Sequence, residues 1–269
     1  MRSSPPASEH NSYVVVIKMK VFLETAKKIF EEIKNCLPDI DININDIDHI
    51  VISSLHGTII ENASSCFILF KKNHFTGIPI LLRNMLEAYV DLKNIKLDNN
   101  YSNSMNLSFL IQKKKLLVNI IKSSNKKYPH SKKIIEFKNA LSDTEKYIKA
   151  LKNDGHKTYK IFQRFNKAQL SDLYDWYNIL CQESHNNISM LEKRHVIKKG
   201  NEIDKVVYFR KISIDEKYQL IHFITWLLLY SFREIQEYFD LKETINTNNV
   251  VELADKFSEQ EMKYFKNAT

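Results

Sequence analysis

The chain has 269 residues, 43% of them apolar, enough for a sizeable core in one large domain or a domain with appendages. Four glycines and five prolines are too few for a loop-rich all-β fold or a glycine-rich phosphate loop. The formal charge of +8 is uneven: Lys113 to Lys160 holds fourteen lysines against Glu136, Asp143, Glu145 and Asp154, so that segment carries +10 and the rest of the chain −2.

Residues 1–17 are expected to be disordered or extended, and they lack an apolar run of signal-peptide length. Residues 18–269 are expected to form a single helical domain. A first helix is predicted over Lys18 to Leu37, stopping before Pro38. Its residues Phe22, Ala26, Ile29, Ile33 and Leu37 recur every three or four positions and share one face. Asp39 to Asp48 reads as a connection. A second helix is predicted over Ile47 to Lys71, with Asn45 or Asp46 accepting from its first free amides. His49 and His56 lie along it without a carboxylate or cysteine at matching spacing, so they read as ordinary surface or half-buried histidines.

Gly77 to Ile95 reads as a core helix entered through Gly77 and Pro79. Among Leu81, Met85, Leu86, Tyr89 and Leu92 stand Arg83 and Glu87, four residues apart and therefore on one face. A guanidinium in apolar surroundings needs a carboxylate, and Glu87 is one turn away.

After a turn cluster at Asp98 to Ser104, two helices with lysine-rich outer faces are predicted near 105–123 and 131–152, forming a helical hairpin. A short helix follows near Tyr159 to Ala168. Ser171 is expected to cap a helix over Asp172 to His185, on which Tyr174, Tyr177, Cys181, Ser184 and His185 lie close to one face. Asn186 and Asn187 then break the pattern. A helix C-terminus favours the imidazolium form of His185, which suits it to general acid or base work or, more plainly, to a hydrogen bond with a carbonyl.

His195 to Lys211 is the one credible β-hairpin, with Gly200-Asn201 between β-branched and aromatic residues. A helix over Asp215 to Leu241 contains Leu220 to Tyr230, an apolar run too short to cross a bilayer and so expected in the core. A last helix is predicted near Val250 to Phe265. Cys36, Cys66 and Cys181 show no metal-ligand spacing and read as free thiols in a reducing cytoplasm. No metal, no cofactor and no membrane span is expected.

The helix bearing LLRNMLEAYVDL, the later YNILCQESHNNIS, the hairpin and the apolar helix together resemble a bacterial family of uncharacterised helical proteins. That family is similar to the HEPN-type domains (higher eukaryotes and prokaryotes nucleotide-binding), frequent in toxin–antitoxin and anti-phage systems. The resemblance covers roughly Ile50 to Leu241 and implies an all-α, HEPN-like multi-helix bundle with one small β-hairpin insertion near 195–211. It implies a role in nucleic-acid metabolism or defence, in the cytoplasm, with Arg83, Glu87 and His185 as the catalytic set of a metal-independent endoribonuclease. Tyr177, Ser184 and Asn186 would support substrate. HEPN ribonucleases carry an arginine and a histidine four to six residues apart on one helix, and none of the six arginines here has that partner.

Two functional readings therefore stand. In one, His185 shuttles a proton, Arg83 stabilises charge at phosphorus, Glu87 orients Arg83, and the lysines of 113–160 guide RNA or another polyanion. In the other, the same residues are a structural network within a non-catalytic interaction or ligand-binding module. The apolar Tyr218 to Phe232 helix is a candidate seam for a homodimer, and a partner protein is the alternative to self-association.

Overall fold

The computed structural model describes residues 7–125, 132–185, 188–208, 210–241 and 245–265. The fold is all-α with one small antiparallel hairpin, as the scarcity of breakers implied. Contacts group the chain into two compact units, Met1–Leu92 with Asp172–Thr269, and Lys93–Ser171.

The first unit contains α1 (Ala7–Cys36), α2 (Ile47–Lys71), most of α3 (Ile78–Leu97), α7 (Tyr174–Ser184), α8 (Ile188–His195), the strands β1 (Val196–Lys199) and β2 (Glu202–Val206), α9 (Ile214–Tyr238) and α10 (Ile245–Phe265). α1 opens at Ala7, ahead of the expected Lys18, across residues read as disordered or extended. Adding a residue to an existing helix is far cheaper than nucleating one, which carries α1 through its valine run. Three helices meet at Phe22 of α1, whose ring stacks on Phe257 of α10 at 4.1 Å and on Tyr218 of α9 at 4.3 Å. The apolar run of α9 is the core helix expected, with Ile221, Ile224, Leu227 and Leu228 completely buried.

Helix starts follow local chemistry. Asp46 caps α2, its Oδ1 accepting from Asp48 N at 2.9 Å and His49 N at 3.4 Å. Ser213 and Glu216 form a reciprocal capping box at α9, Ser213 N donating to Glu216 Oε2 at 2.8 Å and Glu216 N to Ser213 Oγ at 3.1 Å. Ser171 is not the cap expected for α7. It starts a short 3₁₀ turn, Ser171–Leu173, and its Oγ donates instead to Asn166 Oδ1 at 2.8 Å. His56 also departs from expectation. It is 1% exposed on the core side of α2, its ring 6.4 Å from that of Phe232.

In the hairpin, Val196 pairs with Val206 and Lys199 with Glu202, and an irregularity between Ile197 and Lys198 absorbs Asp204. Gly200 takes φ +65°, the left-handed region a first turn residue of type II′ needs.

The second unit is built on α4 (Tyr101–Asn125) and α5 (Lys132–Asn153), followed by α6 (Ile161–Lys167). α4 starts at Tyr101, inside the stretch read as a turn, because Tyr101 is itself buried and stacks on Tyr159 at 5.9 Å. The two long helices pack antiparallel. Leu107, Leu110 and Ile148 form their seam, and Lys114 Nζ lies 2.7 Å from Glu145 at its edge. Lys167 Nζ meets Asp98 at 2.8 Å, a contact that holds the Asp98 carboxyl below its ordinary range and the Lys167 ammonium above its own.

Candidate functional site

α3 brings Arg83 and Glu87 onto one face by their four-residue spacing, and Arg83 Nε donates to Glu87 Oε1 at 3.0 Å. The remaining partners come from α7, about a hundred residues later in sequence. On α7 Tyr177, Cys181 and Ser184 fall at intervals of four and three, so they too share a face. Arg83 Nη2 donates to Tyr177 OH at 3.3 Å and Nη1 to Ser184 Oγ at 3.4 Å. The guanidinium carbon stands 5.4 Å from the centre of the Tyr177 ring. Ser184 Oγ in turn donates to the carbonyl of Cys181 at 2.8 Å, and Tyr174 stacks on Tyr177 at 5.9 Å.

Only the Nε bond to Glu87 has an ordinary length; the two from the terminal nitrogens are long and correspondingly weak. The side chains of Arg83 and Glu87 remain 31% and 29% exposed, so this is a half-buried pair, in keeping with the apolar residues that flank it. Electrostatics favour the charged arginine. Burial is the largest influence on Arg83 and opposes its charge, but Tyr177, Cys181 and Glu87 outweigh it and hold the guanidinium above its ordinary value. Burial first, then a hydrogen bond with Cys181, pushes the Tyr177 phenol up, so it stays protonated. The cluster is thus a fixed cation with a neutral aromatic support and a partly open face.

His185 is placed differently. α7 ends at Ser184, and His185 takes extended backbone angles (φ −95°, ψ 147°) as its C-cap. Helical spacing would have kept His185 on the Tyr177–Ser184 face; leaving the helix takes it off that face. Its side chain is exposed and, among the described residues, makes no hydrogen bond or ion pair with Arg83 or Glu87. Asn186 lies outside the described residues. The structure therefore joins Arg83, Glu87, Tyr177 and Ser184 into one hydrogen-bonded network, and His185, next to Ser184, makes no bond to it among the described residues.

Residues 49–204, more than half of the chain, match the family of unknown function DUF5677. The chain belongs to that family. The matched span runs from the first turn of α2 into β2, so it contains both halves of the Arg83 network and the lysine-rich helices but neither α1 nor α10. No curated protein and no solved structure matches the chain.

No group of three or more His, Cys, Asp or Glu side chains suited to a metal ion occurs among the described residues, and no helix there is long and apolar enough to cross a membrane. Cys36 and Cys66 are buried free thiols, pushed up to about 11 and about 12 chiefly by burial, which makes them inert packing groups.

Sequence reasoning missed a second cationic cluster, Lys193, Arg194 and Arg210, on the wall of a pocket between α7 and α9. The available signal was that two of only six arginines flank the hairpin. That signal is weak by itself, because α8, which carries Lys193 and Arg194, is too short for an apolar period in the sequence to mark it as a helix of its own.

Proposed function

We propose that the chain acts on RNA as a HEPN-like protein of nucleic-acid metabolism or anti-phage, toxin-type defence, with Arg83 as its phosphate contact. The observation that carries this reading is the state of the guanidinium. Glu87 fixes it at 3.0 Å, while its terminal nitrogens are held only at 3.3 and 3.4 Å and the side chain keeps 31% exposure. A phosphate oxygen can replace the long bonds to Tyr177 and Ser184 with charge-assisted ones, which are shorter and about twice as strong. In cleavage, the 2′-oxygen attacks phosphorus as the 5′-oxygen leaves. His185 accepts the 2′-hydroxyl proton and returns it to the leaving oxygen, and Arg83 offsets the charge that builds at phosphorus. The exposed lysines of α4 and α5 supply the general attraction for a polyanion.

The test is RNA cleavage by the purified full chain in the presence of a chelator, with products ending in a 2′,3′-cyclic phosphate. Arg83→Ala and His185→Ala should each lose about a hundredfold in rate, with helical circular dichroism unchanged. Cleavage by His185→Ala at the wild-type rate would end the catalytic reading.

One observation favours a second reading, a non-catalytic module in which the network is structural: His185 makes no bond with Arg83 or Glu87 among the described residues. On that reading no RNA is cleaved, and Arg83→Ala lowers stability alone.

A further inference from the structure

A pocket of about 260 Å³ lies against α7 and α9, and none of its lining residues belongs to the Arg83 network. Its floor is apolar, with Leu82, Leu180, Leu220 and Phe223 facing it, and Trp176 and Ile179 extend the apolar wall. Its charges are Lys193, Arg194 and Arg210 against Glu183 and Glu216.

Those charges do not cancel locally. Lys193 Nζ is satisfied by Glu183 Oε1 at 2.6 Å. Glu216 Oε2 is committed to the amide of Ser213 in the α9 capping box at 2.8 Å. Arg210 donates through Nη1 to the carbonyl of Lys193, which ties the segment after the hairpin to α8 and sets a guanidinium at the pocket. Arg194 is left over: it has no carboxylate partner among the described residues, and its Nη2 is buried with no hydrogen-bond partner. A buried guanidinium N–H without an acceptor is costly, and an incoming anion relieves it. An apolar cavity with a few convergent polar groups is the ordinary form of a small-molecule site.

We propose that this pocket binds an amphiphilic small molecule with one anionic head, a carboxylate or phosphate monoester, held by Arg194 and Arg210, and an apolar body. Size sets the body's length. A cavity of about 150 Å³ takes benzene, so about 260 Å³ accommodates roughly ten carbon atoms. Both heads match the guanidinium fork, so the choice between them is left to measurement.

Titration calorimetry on the full chain tests this with decanoate, decyl phosphate, decanol and decyltrimethylammonium, each below its micelle-forming concentration. At least one of the two anions should bind saturably with one site, at least tenfold tighter than decanol and the cation, and the tighter anion names the head. Arg194→Met should weaken that anion at least tenfold and leave decanol unchanged, and Arg194→Lys should restore part of the loss. Ile179→Glu offers a second variant at a wall position 47% exposed, where folding is little affected; its carboxylate should repel the anion at least tenfold. Arg83→Ala should leave the affinity unchanged, which separates this site from the proposed RNA contact. Saturable binding by neither anion, decanol binding as tightly as the anions, or anion binding unmoved by Arg194→Met and Ile179→Glu would each overturn the assignment.

Discussion

The Arg83 network and the α4–α5 hairpin both carry positive charge, and they hold it in opposite ways. At Arg83 one guanidinium is held firmly by a carboxylate and more weakly by a phenol and a hydroxyl, from two helices far apart in sequence. On α4 and α5 the lysines stand on solvent faces, Lys113, Lys115, Lys132, Lys133 and Lys138 among them all exposed. The first arrangement has direction, since its donors converge on one small volume. The second has none: a mobile ammonium in water contributes a screened field that falls away within about 10 Å at ordinary salt. A fixed cation can discriminate between states of a reacting group, whereas a diffuse one can only raise local concentration.

The sharpest way to break that contrast is to exchange the roles. On the RNA reading, Arg83→Lys keeps the charge but loses the planar fork, and cleavage should fall by about tenfold or more; a lysine that served equally well would make the network as undirected as the hairpin. Acid should act on the first unit. His56 is buried with neither ring nitrogen hydrogen-bonded, and burial pushes its imidazole down to about 4. Below about pH 6.5 the unfolded chain therefore takes up a proton that the folded chain refuses until about pH 4. Stability should be full above that window and fall by about 3 kcal/mol as the pH drops through it. Both tryptophans, Trp176 and Trp226, belong to the first unit, so urea unfolding followed by their fluorescence measures that unit directly. His56→Leu should flatten this acid limb.

For the hairpin, Lys113→Gln with Lys115→Gln should weaken single-stranded RNA binding uniformly across sequences. The slope of log affinity against log salt should drop by about 0.7 for each phosphate that the variant no longer neutralises, as read by fluorescence anisotropy at several salt concentrations. A sequence-selective weakening would show that these lysines are held in place after all. The smallest effect belongs to the ion pair. Because Arg83 and Glu87 are about a third exposed, Glu87→Gln should cost only about 1 kcal/mol in urea unfolding. A loss several times larger would mark the network as structural.

Legibility followed the range of the forces involved. A cap at Asn45 or Asp46, the i,i+4 pairing of Arg83 with Glu87 and the Gly200-Asn201 turn all depend on residues within four positions; each was readable from the chain, with the structure choosing Asp46 of the two caps. So was the membership of Tyr177 and Ser184 in one face, because helical period alone sets it. Ser171 failed as a cap because the 3₁₀ turn Ser171–Leu173 comes before α7 and leaves Leu173 at its N-cap, and His185 left the helix because α7 stopped one residue sooner than the pattern allowed. Both outcomes turn on where a helix ends, the feature that local sequence specifies least sharply. The division near Leu92 was also invisible: it falls inside α3, with no composition change to mark it.

The sequence by itself determined an all-helical chain, the order of its long helices, the single hairpin and the two faces that carry Arg83 and Tyr177. Only tertiary structure decided that those faces meet, that His56 is buried, that His185 stands outside the network and that Arg194 and Arg210 gather at an apolar pocket. Helical period and capping act over one or two turns, so they are written in neighbouring residues. Which faces pack together depends on burying apolar surface across a hundred residues of chain, and no short stretch carries that information.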